Sequence, residues 1–259
     1  MRLRRPRRAY WGVAIALFGW ACVASGPPGS AGSLPQVQQR YAYPAWFVSG
    51  TPSDVTVGYS RGYMSAAESE SVAVEDGLNR AWLMEKVRIT VGAAFQSGSG
   101  DPLASQGERS REEPLGVGVP LFPKGGAATQ GMYVVALRPD SVAPSLSTTM
   151  VALPATPPAW LTTPPPPDGE WSYAIGVSAA FYREETAWDE AERNARRNLA
   201  LNAGVRVSGL TAKDSDDDLQ VLHFTADVTM EKLSVVARWR DGNSCYVLVR
   251  GRIVAVQSR

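Results

Sequence analysis

The residue types that could carry out chemistry are few in this 259-residue chain. Gly58-Tyr59-Ser60 and Gly176-Val177-Ser178 match the start of the Gly-x-Ser-x-Gly turn that exposes a nucleophilic serine. Gly62 completes the spacing in the first, but Ala180 stands at that position in the second. His223 is the only histidine, so triads within each segment and multi-histidine metal sites are excluded. We therefore expect both serines to make strand-to-helix hydrogen bonds and His223 to be structural or exposed.

The acidic run Asp214-Ser215-Asp216-Asp217-Asp218 is the only candidate for calcium chemistry. An EF-hand loop starting at Asp214 needs glycine where Leu219 stands and glutamate where Thr225 stands. We expect a solvated acidic loop, with a weak calcium site of another kind as the alternative. Cys245 alternates with apolar residues and is expected to be a small core residue. No catalytic, cofactor or metal-binding residue is predicted.

A sequence repeat gives more information than these single residues. Pro44-Ala45-Trp46, followed by Gly58, recurs as Pro158-Ala159-Trp160, followed by Gly176. When the two glycines are aligned, the matched positions are Ala73 and Ala191, Gly77 and Ala195, Ala81 and Leu199, Val87 and Val205, and Arg88 and Arg206. An apolar framework that recurs in register indicates shared packing. Trp46 and Trp160 are expected to anchor the chain on a sheet, with a ligand-binding aromatic surface as the alternative.

The repeat predicts the secondary structure of each copy. Ala187, Ala191, Ala195 and Leu199 form one apolar stripe on a helix whose other face carries charges, among them Arg196. Ser65 and Glu68 form a capping box that starts the matching helix of the first copy. An alternating strand, the turn at 241–244 and a second strand close the second copy. The expected fold is α+β, with two tandem small modules, each a strand, a helix packed on a small antiparallel sheet, and a closing β-hairpin.

Composition divides the chain into five segments, of which the first, residues 1–21, precedes a tether, two modules and the linker between them. Residues 22–40 are small and polar and predict a flexible tether, and residues 139–157 form a Pro-rich linker. The first module is expected at residues 41–138 and the second at 158–255. Residues 96–113, which are rich in Gly, Ser and charge, predict an exposed loop within the first module.

Residues 1–21 predict a cleaved signal peptide, with an uncleaved signal anchor as the alternative. Five of the first eight residues are arginine, and an uncharged stretch from Ala9 to Ala24 follows them. Removal of residues 1–21 lowers the formal charge from +1 to −4, because the segment holds five arginines and no acid. The exported part is mildly acidic, so nucleic-acid binding is not expected.

Cys22 ends the apolar stretch and follows Ala21. This position resembles the lipobox of bacterial lipoproteins, whose cysteine is acylated and becomes the new N-terminus. The resemblance implies a lipid anchor at Cys22. Two other outcomes stay open: cleavage after Val23-Ala24-Ser25 without lipid, and a disulfide between Cys22 and Cys245.

Several elements together resemble the bacterial Lpp-twenty family of outer-membrane lipoproteins. They are Pro158-Ala159-Trp160, Gly176 to Ser178, the helix from Ala187 to Leu199 with Arg196-Arg197, and the segment from Trp239 to Val249. Residues 44–138 match more loosely. The resemblance implies a lipoprotein of the bacterial cell envelope that faces the periplasm from the outer membrane.

The expected function is that of a non-enzymatic structural or assembly scaffold. Its expected partners are the membrane, through the lipid anchor, and copies of itself or other envelope proteins. The alternative is a periplasmic ligand- or protein-binding module that is secreted without a lipid anchor, with its ligand between the two copies near Trp46 and Trp160.

Replacement of Cys22 with serine tests the anchor. If Cys22 is acylated, Cys22→Ser removes the acylated sulfur and the protein moves from the membrane to the soluble fraction. Cell fractionation and the intact mass of the native N-terminus measure this. An unlipidated N-terminal mass in the parent protein would contradict the prediction.

Overall fold

The computed structural model describes residues 41–48, 51–63, 65–97, 104–181, 183–214 and 217–257. The predicted signal peptide, the tether and Cys22 lie outside them. In chain order the elements are β1 (Ala42–Pro44), α1 (Ala45–Val48), β2 (Thr56–Arg61), α2 (Ala66–Glu85), β3 (Lys86–Ser97), β4 (Ala104–Pro114), β5 (Phe122–Ala128), β6 (Met132–Arg138), β7 (Met150–Ala152), β8 (Trp171–Ala179), α3 (Glu184–Gly204), β9 (Arg206–Asp214), β10 (Asp217–Arg240) and β11 (Ser244–Val256). The fold is α+β with antiparallel sheets, as the sequence predicted.

Helix α3 follows the alanine stripe. Ala187, Ala191, Ala195 and Leu199 each expose no more than 1% of their surface, so the stripe faces the core. The helix extends beyond the stripe at both ends. The sequence therefore predicted its buried face correctly.

Helix α2 begins at the predicted capping box. The hydroxyl of Ser65 accepts a hydrogen bond from the backbone N–H of Glu68 at 3.1 Å, which satisfies a first-turn donor. Ala73, Gly77 and Ala81 are its buried small residues, at the positions matched to the stripe of α3. Both helices thus present small side chains to a sheet.

The strands that carry these helices pair in the same order in the two halves of the chain. The first half, up to residue 138, has the sheet order β2-β6-β5. In the second half, from residue 158, β8, β11 and β10 end the larger sheet β4-β3-β10-β11-β8, and β9 also pairs with β10. Gly58 lies opposite Val135, and Gly176 lies opposite Val247. The first and last strands of each half therefore share one register.

The closing hairpin of the second half forms at the predicted turn. Strand β10 ends at Arg240 and β11 begins at Ser244. The carboxylate of Asp241 accepts hydrogen bonds from the backbone N–H groups of Asn243 and Ser244, both at 2.7 Å. This side chain closes the turn in the way that Asp commonly does.

The predicted exposed loop at residues 96–113 is wrong where the structure describes it. Strand β3 extends through Ser97, and β4 pairs with it from Ala104 to Pro114. Arg109, Arg111 and Glu113 are exposed on β4, which lies at the edge of its sheet. Charged residues are common on edge strands, so a polar composition did not exclude a strand here.

Backbone pairing places β3 and β4 of the first half in the same sheet as the strands of the second half, while β2, β6 and β5 form a separate sheet. Strand β10 pairs with β3 of the first half from Gln220 to Glu231 and with β11 of the second half from Val228 to Arg240. The described residues belong to one compact unit. Strand β7, from the Pro-rich segment, pairs with β1.

Each helix lies close to the first strand of its half. A Cβ atom on Gly58 would lie 1.9 Å from the carbonyl oxygen of Ala73, and a Cβ atom on Gly176 would lie 2.0 Å from that of Ala191. Such distances are far below van der Waals contact, so only glycine fits at both positions. The close approach is the same in the two halves.

Side chains of the helices also cover the open edges of these first strands. Asn198 and Asn194 of α3 donate hydrogen bonds to the carbonyl oxygens of Ile175 and Val177 at 2.8 and 2.9 Å. Such pairing blocks addition of a further strand.

Among the described residues, no helix is long and apolar enough to cross a membrane.

Alanine substitution tests the two glycine contacts. We expect Gly58→Ala and Gly176→Ala each to lower the free energy of unfolding by about 3 kcal/mol or more, because backbone atoms must move to admit the methyl group. Denaturant unfolding measures this. Gly92→Ala is the matched control in a strand, since a Cβ there meets nothing within 4 Å, and it should change stability by less than about 1 kcal/mol. Equal effects at all three glycines would contradict the prediction.

Candidate functional site

A buried ionic cluster centres on Glu192 of α3, a side chain with no exposed surface. One carboxylate oxygen accepts hydrogen bonds from Arg238 at 2.7 Å and from the hydroxyl of Tyr59. The other oxygen accepts from Arg80 at 2.8 Å. The carboxylate is therefore compensated from three directions, as a buried charge requires.

Arg80 brings helix α2 into this cluster. Its Nη2 donates to Asp189 of α3 at 2.7 Å, and its Nε donates to Asp76 of its own helix at 2.5 Å. Its guanidinium carbon lies 4.2 Å above the ring centre of Tyr59. All three nitrogens of the guanidinium that can donate are thus used.

Arg238 of β10 joins two further elements of the first half to the cluster. Its Nη1 donates to the backbone carbonyl of Phe47 in α1 at 2.9 Å, and its Nη2 donates to the hydroxyl of Tyr59 in β2 at 2.9 Å. Only 3% of Arg238 is exposed. The cluster therefore connects the first half of the chain to the second.

Arg196 was expected on the charged, exposed face of α3, and this prediction is wrong because the side chain is buried. Only 2% of its surface is exposed. Its Nε and Nη2 donate to the two carboxylate oxygens of Glu112 in β4, both at 2.8 Å. The Glu112 side chain of β4 thus reaches this face of the helix, and the bidentate pair allows the guanidinium to be buried.

The surroundings of Glu192 keep it ionised. Burial raises the pKa of its carboxyl, but the guanidinium groups of Arg238, Arg80 and Arg196 have the larger combined effect and lower the pKa to about 2. Burial is also the largest cause of the raised pKa of Tyr59, with Arg238 acting against it and Glu192 adding to it. Tyr59 therefore stays protonated and donates to the carboxylate, an arrangement suited to binding the halves together.

The two serines of the Gly-x-Ser segments are buried. Ser60 donates its hydroxyl to the carbonyl oxygen of Ser69 in α2 at 2.6 Å, which confirms the predicted strand-to-helix bond. Ser178 donates instead to the carbonyl of its neighbour Ala179 at 3.1 Å, so the prediction was wrong for this residue. Only 3% and 5% of the two serines are exposed.

Cys245 is a core residue, as predicted, with no exposed surface. Burial raises the pKa of its thiol to about 12, although the nearby Arg240 acts in the opposite direction. Arg240 itself pairs with Glu184 at 3.1 Å. A thiol in this environment is protonated at neutral pH and is a weak nucleophile.

The two predicted tryptophan anchors each lie in one helical turn. Trp46, in α1, is 6% exposed and meets the ring of Phe47 edge-on, so it packs in the core as predicted. Trp160 is half-buried in a 3-10 helix, Ala159–Leu161. Neither tryptophan is among the described residues that line the cavity between the two halves of the chain.

The remaining candidates fall partly outside the structure. His223 lies in β10, with its backbone opposite Ala94, but its side chain is outside the described part. Of the acidic run, Asp214 ends β9 and Asp217 and Asp218 begin β10, while residues 215–216 are outside the described residues. Within the described part, no group of three His, Cys, Asp or Glu residues could hold a metal ion.

A cavity of about 380 Å³ lies between segments from the two halves. The first half contributes β2 with its preceding loop, the end of α2 and the segment around Val119; the second contributes Trp171, Arg250 and the middle of β10. Arg238 lines it too, so the ionic cluster forms part of its wall. Its volume lies in the range of small-molecule sites, which is about 300–1,000 Å³.

No motif in the sequence indicates Arg80, Glu192 or Arg238 as site residues. One signal was present: Trp188, Glu192 and Arg196 repeat at four-residue spacing, directly beside the alanine stripe. A tryptophan in that column indicated that this side of α3 is buried too, and Trp188 has no exposed surface. The partners of Glu192 come from distant segments, and no local pattern indicates them.

Comparisons with protein-family models, curated proteins and solved structures found no match.

Substitution of Glu192 tests the ionic cluster. Glu192→Gln leaves Arg80 and Arg238 without their shared counter-charge, so we expect a loss of about 3–5 kcal/mol in the free energy of unfolding. Glu190→Gln on the same helix is the control. Glu190 makes an exposed ion pair with Arg193 at 3.2 Å, and its loss should cost less than about 1 kcal/mol. Urea unfolding of both variants measures the difference.

The same variants should differ in pH dependence. Because the folded state lowers the pKa of Glu192 from its ordinary 4.5 to about 2, its contribution is present above about pH 4.5 and is lost as the pH falls towards 2. The stability of the parent protein should therefore fall more steeply over this range than that of Glu192→Gln. Parallel curves would show that Glu192 is not ionised in the folded state.

Proposed function

We propose that this protein is a non-enzymatic scaffold of the bacterial cell envelope, attached by a lipid on Cys22 to the outer membrane on its periplasmic side. Membership of the Lpp-twenty family is part of the same proposal. The observation that carries the scaffold function is an exposed apolar surface on the folded unit, the Trp82 patch. It consists of Leu78, Trp82, Leu115 and Val117, which are 37%, 49%, 42% and 88% exposed.

The Trp82 patch is continuous across two segments. Leu78 and Trp82 are four residues apart on α2 and therefore neighbours on one face. A Cβ on Gly118 would lie 2.2 Å from the indole nitrogen of Trp82, so the 115–118 segment crosses that ring. The backbone N–H of Leu115 donates to the carbonyl of Lys86 at 2.9 Å and holds the segment there.

The composition of the patch supports binding to another protein. Grouped apolar side chains on a folded surface mark interaction sites, and tryptophan often supplies much of the binding energy. The Glu192 cluster supports the same function, because its polar groups are used to join the two halves. We propose a second copy of the chain as the first partner.

The proposal includes tandem modules at residues 41–138 and 158–255. Its support is the shared register of the first and last strands and the glycine contact that recurs at Gly58 and Gly176. Strand β10 pairs with both halves, so the proposed copies would fold as one body.

Charge substitution in the Trp82 patch tests the scaffold proposal. We expect the purified protein to sediment as a species larger than the monomer. Val117→Asp should weaken this association by about tenfold or more, because a carboxylate would be buried at the interface.

Val142→Asp is the matched control, since Val142 is also a valine with 86% exposure but lies outside the patch. It should associate like the parent protein. A parent protein that remains monomeric at every concentration, or equal effects of the two variants, would overturn the proposal.

A further inference from the structure

One arginine at the cavity between the halves has no carboxylate partner among the described residues. Arg250 of β11 lies with its guanidinium carbon 4.7 Å above the ring centre of Trp171. Its Nε donates to the hydroxyl of Ser234 at 2.9 Å. The guanidinium is thus held in a fixed place by neutral groups, with donors left for an anion.

The first half of the chain provides an internal comparison. Arg138 ends β6 at the position that Arg250 occupies in β11, and it pairs with Asp54 at 2.6 Å. The residue that matches Asp54 in the second half is Ser172. Both halves therefore have the arginine, but only the first has an acid at the matched position.

The backbone beside Arg250 is unusual in a way that shapes the cavity. Lys232 has a φ of +52°, the only positive value for a non-glycine residue in the described part of the chain. It lies at an irregularity of β10 between Glu231 and Ser234. Irregular strands and left-handed backbone are common beside binding sites because they redirect side chains. Lys232 is exposed and adds a second positive charge to the cavity lining.

The rest of the lining is mainly apolar, with two acids. Val55, Val57, Met84, Leu121, Leu233 and Val235 are among its walls. Asp54 is paired with Arg138, and Glu85 accepts a hydrogen bond from the backbone of Gly118 at 3.1 Å. Arg238, the remaining cation, is already paired with Glu192. Arg250 and Lys232 are therefore the cations of this lining whose charge is available.

We infer that this cavity binds a small apolar molecule with one carboxylate, whose carboxylate pairs with Arg250 and whose apolar body lies against the valines and leucines of the walls. Charge-assisted bonds from guanidinium to carboxylate are strong and directional, and the apolar lining favours a hydrocarbon body over a sugar or a nucleotide. This inference goes beyond the scaffold proposal and does not depend on the Trp82 patch.

Calorimetric titration of the purified protein with octanoate tests the inference, with 1-octanol as the uncharged probe of the same length. Octanoate should bind and 1-octanol should bind at least about tenfold more weakly. Arg250→Gln should weaken octanoate binding by about tenfold or more. Arg252→Gln, two residues along the same strand, is the charge-matched control. Arg252 already pairs with Glu170 and Glu231, so its loss should change the affinity by less than about twofold.

A second variant supplies the missing counter-charge directly. The hydroxyl of Ser234 already accepts a hydrogen bond from the Nε of Arg250 at 2.9 Å, so Ser234→Asp places a carboxylate beside the guanidinium. Arg250 should then be neutralised and octanoate binding lost, while the thermal unfolding temperature stays equal or rises. This variant remains informative if Arg250→Gln is unstable. No heat of binding for octanoate, equal affinity for 1-octanol, or unchanged octanoate binding in a folded Arg250→Gln or Ser234→Asp variant would overturn the inference.

Discussion

The buried carboxylate of Glu192 is the interaction on which the arrangement of the two halves depends. An ionised side chain without solvent contact is tolerated only when its counter-charges are in place, and here they are Arg80 and Arg238, supplemented by the hydroxyl of Tyr59. These four residues come from α3, α2, β10 and β2. Displacement of any of these elements would leave a charge or a donor unpaired, so the cluster fixes one relative position for them.

The cluster includes residues at which the two aligned segments of the chain differ. On the alignment of the two glycines, Asp76 and Arg80 of α2 match Asn194 and Asn198 of α3. The asparagines hydrogen-bond to the edge of β8, and Asp76 likewise accepts from the backbone of β2. Arg80, however, reaches α3. At this matched position, Asn198 bonds to the strand of its own half, whereas Arg80 bonds to the helix of the other half.

The two closing strands, β6 and β11, also differ in how their matched arginines are paired. Arg138 is neutralised by Asp54, whereas Arg250 rests on Trp171 with Ser172 in place of an acid. The apolar framework of the repeat accounts for the fold and is compatible with a scaffold. The positions where the polar residues differ account for the contact between the halves and for the charge of the cavity.

The sequence alone determined the features that depend on local spacing. The alanine stripe of α3, the cap at Ser65 and the turn that begins at Asp241 follow from residues within a few positions of one another, where helix and strand geometry fixes which side chains share a face. Tertiary structure decided what lies against those faces. The burial of Arg196 and the length of β10 depend on contacts between segments far apart in the chain. A buried charge is stable only beside its counter-charge, here Glu112 of β4, and a long strand is stable only when neighbouring strands pair with its backbone.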